Sequence, residues 1–145
     1  MNITFFGHSD ACINKSLIEN IKKAIIDNIS LNEKTTFYCG GYGAFDNACA
    51  CACAELKRDI KNSEIVLVVP YLLSKKQVDL LNIPYDQIIY PPLGCFPKKI
   101  AILKRNEWMI NNSDLIISFI ERSFGGAYKA FCYAKKKEKK IINLA

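Results

Sequence analysis

Residues 35–46 read TTFYCGGYGAFD, and this stretch decides the fold class. Its first part, Thr35–Cys39, is β-branched and aromatic, a composition that favours a strand. The glycines of residues 40–43 end that strand, and a helix is predicted to follow from about Phe45 to Asp59. A strand joined to a helix by a glycine-rich turn is the repeating unit of α/β proteins with parallel sheets.

The same alternation continues on both sides of this stretch. Upstream, Asn2–Gly7 predicts a first strand, and apolar residues recur at helical spacing from about Asn14 to Ile29. Downstream, the predicted segments are a strand at 65–69, a short helix at 74–81, a strand at 87–90, a helix at 98–111, a strand at 114–120, a helix from 125 to about 137 and a strand at 140–144. Since the strands are continuously apolar, we predict a single α/β domain over 1–145, a Rossmann-like three-layer sandwich with a mainly parallel sheet.

Composition narrows the class of protein. Half of the 145 residues are hydrophobic and 23% are charged, as in ordinary globular proteins. No apolar run reaches the roughly 18 residues of a membrane span. The opening MNITFFGHSD lacks the basic and apolar regions of a signal peptide. We therefore expect a cytoplasmic protein with no membrane partner.

The net charge of +6 is concentrated at one end of the chain. Five lysines lie between Tyr133 and Ala145, against the single acidic residue Glu138. This cluster suits the solvated end of a last helix, where cations also complement the helix dipole. A nucleic-acid groove would instead spread basic residues among aromatic ones, so nucleic acid is a disfavoured partner.

The seven cysteines favour packing over metal binding or disulfides. Their odd number does not suit a paired disulfide framework. Cys49 and Cys53 should share a helix face while Cys51 points elsewhere, unlike the C-x2-C hooks of zinc sites. We therefore predict no metal site, with small apolar thiols packing a helix against the sheet.

Three glycine-containing loops fall at predicted carboxyl ends of strands, where parallel sheets bind ligands. They are residues 7–10, residues 40–43 and residues 123–127. Glycine between a strand and a helix lets backbone N–H groups approach an anion, although each loop is also explained by a tight turn. None matches G-x-G-x-x-G or the P-loop pattern, which disfavours a dinucleotide-dependent dehydrogenase and a P-loop NTPase. No cofactor is predicted.

The segment KRNEWM, residues 104–109, is the other concentration of polar chemistry. Helical spacing places Glu107 between Ile100 and Leu103, so an inward carboxylate for a ribose contact or acid–base work is one interpretation. An exposed pair between Lys104 and Glu107 is the other. Arg105 suits a phosphate fork, with a solvated arginine as the alternative.

Several of these segments resemble the small bacterial SLOG proteins. The resemblance is carried by FYCGGYGAFD (37–46), ELK (55–57), VVPYL (68–72), YPPL (90–93), KRNEWMINNSDLIISFI (104–120) and SFGGAYKAFCYAKKKEKKIINL (123–144). It spans essentially the whole chain and is most specific from RNEWM to GGA. Members of the superfamily include cytokinin-activating phosphoribohydrolases, nucleoside 2-deoxyribosyltransferases, the DNA-uptake protein DprA and ligand-sensing domains of antiphage systems.

The resemblance implies a ligand built on nucleotide, ADP-ribose, cyclic ADP-ribose or NAD parts. The implied pocket comprises Gly7, His8, Gly40, Gly41, Tyr42, Gly43, Asp46, Arg105, Glu107, Gly125, Gly126 and Ala127. It also implies self-association as a homodimer or a higher even oligomer. Trp108 and Met109 suit an interface if they are exposed. Burial of both against the sheet is the alternative.

The catalytic carboxylates of two relatives have no counterpart after the GGA loop. The phosphoribohydrolase pattern continues to an acidic residue, whereas here the loop leads to Phe131 and Cys132. The nucleophilic Glu of deoxyribosyltransferase-like enzymes corresponds to about Lys129. Because glycosidic chemistry needs a carboxylate beside the anomeric carbon, we expect a non-catalytic binder that senses or sequesters its ligand.

Two other functions stay open from the sequence. One is an N-glycosidic hydrolase of nucleoside monophosphates that uses Glu107 or Asp46 as its carboxylate. The other is a single-stranded nucleic-acid binder.

Overall fold

The computed structural model describes residues 1–145 as six strands and five helices in strict alternation. The strands are β1 (Asn2–Gly7), β2 (Thr35–Cys39), β3 (Ser63–Val68), β4 (Gln87–Ile89), β5 (Leu115–Phe119) and β6 (Lys140–Asn143). The helices are α1 (Lys15–Ile26), α2 (Ala44–Leu56), α3 (Lys75–Leu81), α4 (Lys98–Asn111) and α5 (Gly126–Lys136). Each element predicted from periodicity is present in the predicted order. The boundaries of β1 and β2 are those predicted.

All strand pairings are parallel, and the sheet order is β4-β3-β2-β1-β5-β6. The chain runs outward from β1 to β4, then crosses back and continues outward from β5 on the other side of β1. The direction of winding therefore reverses between β1 and β5, where Gly7 is paired with Phe119. Such a switch point opens a crevice at the carboxyl ends of the two strands.

Helices cover both faces of the sheet, which confirms the predicted three-layer architecture. Ile3 and Phe5 point to the face packed by α1 and α2, and Phe6 points to the face packed by α4 and α5. This alternation follows from the two-residue period of a strand. None of the helices is both long and apolar enough to cross a membrane.

The cysteines of α2 lie as the helical spacing predicts. Cys49 and Cys53 are fully buried in the core together with Cys39, and Cys51 is exposed. Burial raises the pKa of the Cys49 and Cys53 thiols well above the ordinary value, so they stay protonated and pack as small apolar groups. No group of three or more His, Cys, Asp or Glu side chains is arranged to hold a metal ion.

Helix α4 does not present Trp108 and Met109 to solvent. Met109 is buried in the core, and Trp108 is half-buried with its ring edge-on to Tyr38 at 5.4 Å. The buried stripe of α4 contains Ala101, Arg105 and Met109, which are spaced four residues apart and so face the sheet together. The alternative of burial against the sheet therefore holds for Met109, whereas Trp108 keeps part of its surface exposed.

Candidate functional site

A cleft of about 270 Å³ opens at the switch point between the carboxyl ends of β1 and β5. Four parts of the chain form it: the end of β1 with its following loop, the start of α2, the middle of α4, and the β5–α5 connection. It is lined by Phe6, Gly7, His8, Ser9, Tyr42, Asp46, Ile102, Arg105, Asn106, Arg122, Gly125, Gly126 and Ala127. Eight of the twelve residues implied by the resemblance line this one cleft.

Arg105 is a buried cation in the wall of the cleft. Only 3% of the residue is exposed, and Nη1 donates to the carbonyls of Gly40 and Val68, both at 2.9 Å. Nε donates to the side-chain oxygen of Asn106 at 2.9 Å, which leaves Nη2 without a protein acceptor. Since the guanidinium has no carboxylate at ion-pair distance, carbonyl dipoles hold its charge, and one donor stays available to a ligand.

Asp46 supplies the one carboxylate of the lining. It lies in the first turn of α2 and accepts a hydrogen bond from the Tyr42 N–H at 3.0 Å. Burial raises the pKa of Asp46 to about 6, although the Tyr42 hydrogen bond and the positive charge of Arg105 oppose the rise. The side chain therefore exchanges its proton near neutral pH.

His8 joins the ends of β1 and β5 at the floor of the cleft. Its Nε2 accepts from the backbone N–H groups of Glu121 at 3.1 Å and Arg122 at 3.4 Å. Accepting at Nε2 assigns the ring proton to Nδ1 in the neutral imidazole. Burial, reinforced by the charge of Arg122, lowers the pKa of His8, so the neutral acceptor form is favoured.

Arg122 lines the cleft although the sequence patterns do not predict it as a site residue, and it lies just before the loop of residues 123–127. Its Nη2 and Nη1 donate to the two carboxylate oxygens of Asp10 at 2.9 and 3.2 Å. The guanidinium also lies 5.0 Å from the ring centroid of Phe124, and its Nε is buried without a hydrogen-bond acceptor. The signal that could have identified it is a basic residue in the loop that follows a central strand, three residues before a pair of glycines.

The N-terminus of α5 faces the cleft through Gly125, Gly126 and Ala127. Gly125 has φ +95°, no side chain caps this helix, and its first turn has no acidic residue. A Cβ added to Gly126 would meet no heavy atom within 4 Å. The first N–H groups of α5 and the positive end of its dipole therefore face open space.

Residues 40–43 mostly pack against protein rather than line the cleft. A Cβ on Gly40 would lie 3.2 Å from both the Arg105 guanidinium carbon and the Asp46 carboxylate. Gly41, with φ +74°, faces Leu67, and these two glycines line a neighbouring apolar groove. Gly43 packs against the Ser9 backbone. Of this turn, only Tyr42 borders the cleft.

Glu107 lies outside the cleft. It forms a 3.6 Å ion pair with Lys104, and it borders a separate groove between α4 and α5 that includes Lys129. Of the two interpretations of Glu107, the structure shows the exposed pair with Lys104 rather than the inward carboxylate, because Ile100 is 42% exposed and so does not mark the core face. The burial of Arg105 fixes the helix rotation instead.

Comparison with known proteins gives structural matches only. No protein-family model matches the chain, and neither does any curated protein. DNA processing protein A (DprA) from Streptococcus pneumoniae matches 97% of this chain with a TM-score of 0.65 and 16% identity, over 48% of its own length. DprA from Helicobacter pylori, a protein described for its single-stranded DNA binding mode, matches 97% with a TM-score of 0.63 and 13% identity, over 63% of its length.

The structural genomics target TM1055 also matches 97% of the chain, with a TM-score of 0.57 and 13% identity, over 71% of its own length. The chain thus spans about half of one DprA and under two thirds of the other. Identities this low carry information about the fold alone. Together with the parallel sheet and its switch point, they show that this protein has a Rossmann-like α/β fold, similar to the folds of the two DprA proteins and of TM1055.

Proposed function

We propose that this protein is a cytoplasmic binder of a nucleotide-derived small molecule, which it senses or sequesters without converting it. The observation that carries the proposal is the cleft at the switch point, where Arg105, Arg122 and the open N-terminus of α5 meet. Guanidinium groups and helix N-termini are the features with which proteins hold phosphate.

The size and lining of the cleft favour a ligand part the size of a mononucleotide. A volume of about 270 Å³ lies near the lower end of small-molecule sites, which span roughly 300–1,000 Å³. Ser9, Asn106 and Asp46 offer hydrogen-bond partners for ribose hydroxyls. AMP fits this description, as does one half of ADP-ribose, cyclic ADP-ribose or NAD.

The scarcity of carboxylates supports binding without catalysis. Glu107 borders another groove, and the resemblance places about Lys129 where deoxyribosyltransferase-like enzymes have their nucleophilic Glu. Asp46 is left as the single candidate for the alternative, an N-glycosidic hydrolase. Its pKa of about 6 favours that alternative, because a carboxyl that titrates near neutral pH can serve as a general acid or base.

A single-stranded nucleic-acid binder is the third candidate, and the similarity in fold to DprA favours it. The lysines at the end of α5 are exposed, and none of them lines the cleft. Binding through them would be electrostatic and strongly dependent on salt.

A thermal-shift and product assay with AMP, dAMP, NAD, ADP-ribose and cyclic ADP-ribose separates these functions. A ligand at 100 times its Kd should stabilise the protein by about 2.7 kcal/mol. Recovery of the ligand intact supports the binder. Release of base that disappears in Asp46→Asn supports the hydrolase, and a silent panel with salt-sensitive oligonucleotide binding supports the third function.

Gly126→Val tests the location of the site. The new side chain would enter space that is free of protein atoms and that the phosphate must occupy, so we expect more than a tenfold loss of nucleotide affinity with the fold retained. Lys136→Ala, in the exposed last turn of the same helix, should change affinity only slightly. Normal binding by Gly126→Val combined with loss in Lys136→Ala would move the site to the lysines.

We also propose that the protein self-associates as a homodimer or a higher even oligomer. The exposed apolar residues that support this lie in the part of the sequence that contains edge strand β4. They are Leu72, Tyr85, Ile88, Tyr90, Phe96 and Ile100. Exposed apolar side chains and an unpaired strand edge are both features that promote association.

A further inference from the structure

Asp10 and Arg122 connect the two loops that flank the cleft. Asp10 follows β1 and Arg122 follows β5, so their paired hydrogen bonds, at 2.9 and 3.2 Å, link the chain across the switch point. Of the two residues, Arg122 lines the cleft and Asp10 does not. The carboxylate thus holds the arginine from outside the space where a ligand would sit.

The Asp10 carboxylate occupies the part of Arg122 that a phosphoryl group would bind. Both terminal nitrogens are engaged by the two carboxylate oxygens, and phosphate oxygens match the same fork. The remaining donor, Nε, is buried and has no acceptor. An unsatisfied buried donor is costly, so a ligand acceptor with more oxygens than a carboxylate would be favoured there.

Displacing Asp10 would cost little. Its side chain is 66% exposed and can return to water, and exposed ion pairs contribute little to stability. Meanwhile the backbone of residues 121 and 122 stays fixed by its hydrogen bonds to His8, so only the Arg122 side chain has to change partner.

We infer that Arg122 is a phosphate ligand of the cleft and that Asp10 is its internal competitor, which holds the guanidinium until a phosphoryl group replaces it. This inference rests on the proposed function, since it concerns the same cleft. It adds Asp10 as a residue outside the cleft that lowers the affinity for the ligand. The affinity for the ligand then depends on how much more strongly Arg122 binds the phosphoryl group than it binds the Asp10 carboxylate.

The test is calorimetric titration of the full chain with AMP and with inorganic pyrophosphate. Asp10→Asn should tighten binding about two- to fivefold, because it removes a competing exposed ion pair. Arg122→Gln should weaken binding about tenfold or more. In the Arg122→Gln background, Asp10→Asn should have no further effect, since there is no guanidinium left to release.

Asp27→Asn is the matched control. Asp27 forms another exposed ion pair, with Lys23 at 2.6 Å at the C-terminal end of α1, and its replacement makes the same change in net charge. Equal tightening by Asp27→Asn, or tightening by Asp10→Asn that persists without Arg122, would show a general charge effect and overturn the inference.

Failure of the Asp10 inference and failure of the proposed function give different results. Binding that is lost in Gly126→Val but is indifferent to Asp10→Asn overturns the competition between Asp10 and the ligand and leaves the proposed site intact. Absence of binding to both the wild-type protein and Asp10→Asn overturns the proposed function and the inference with it.

Discussion

At the residue scale, Asp46 is held in an environment that opposes its charge. Its pKa of about 6 in the folded protein exceeds the value of about 3.9 expected when the chain is unfolded. Between these values the folded state holds a proton that the unfolded state has lost. The contribution of Asp46 to the free energy of unfolding should therefore fall as pH rises from about 4 to about 6 and stay low above that.

Asp46→Asn tests the direction of this pH dependence. The amide keeps an oxygen to accept from the Tyr42 N–H but carries no charge. We expect the variant to match the wild type near pH 4 and to be more stable above pH 6, measured by urea denaturation at unit steps of pH. A wild type that is the more stable of the two at pH 7 would mean that attraction to Arg105 outweighs burial.

At the element scale, α2 and α5 begin in the same way but face different surroundings. Gly43 and Gly125 are their N-cap residues, with φ of +97° and +95° and ψ of 175° and 172°. This backbone region is open essentially to glycine alone. A Cβ on Gly43 would lie 2.6 Å from the Ser9 Cα, whereas one on Gly125 would meet nothing within 4 Å. The N-terminus of α2 is therefore covered by protein, and the N-terminus of α5 is open to the cleft.

Replacing each of these glycines by alanine separates the cost of backbone strain from the cost of a collision between the new methyl group and its neighbours. Gly125→Ala should cost about 1–3 kcal/mol of stability from backbone strain. Gly43→Ala should cost about 1–3 kcal/mol more, because the added methyl group also collides with the backbone at Ser9. Equal losses in the free energy of unfolding, measured by urea denaturation, would show that the loop after β1 moves to accommodate the methyl group without a further loss of stability.

At the scale of the whole molecule, the proposed self-association involves the exposed apolar residues in the part of the sequence that contains β4. Ile88 lies on this edge strand and is 40% exposed. If this surface joins two copies, light scattering should report an even oligomer for the wild type and a monomer for Ile88→Lys. Leu31→Lys is the control: Leu31 is also exposed but lies in the α1–β2 connection, at the other end of the sheet from the cleft. A wild-type monomer at high concentration would contradict self-association.

The order and type of the elements and the parallel sheet could be predicted from local sequence patterns. The reason is local: β-branched apolar runs, helical spacing and glycine turns each specify an element within about ten residues. The buried positions of Cys49 and Cys53 and the exposed position of Cys51 followed from the same periodicity.

Which polar residues share the cleft, in contrast, depends on how the elements pack together. Glu107 and Arg105 are two positions apart on α4 and so lie about 160° apart around its axis, which places Arg105 in the cleft and Glu107 at another groove. Arg122 and Asp10 are more than a hundred residues apart and meet because β1 and β5 are neighbours in the sheet. Periodicity describes a segment relative to its own axis. The partner of a side chain across the switch point depends instead on strand order and on the rotation with which each helix packs, and neither is encoded within a single segment.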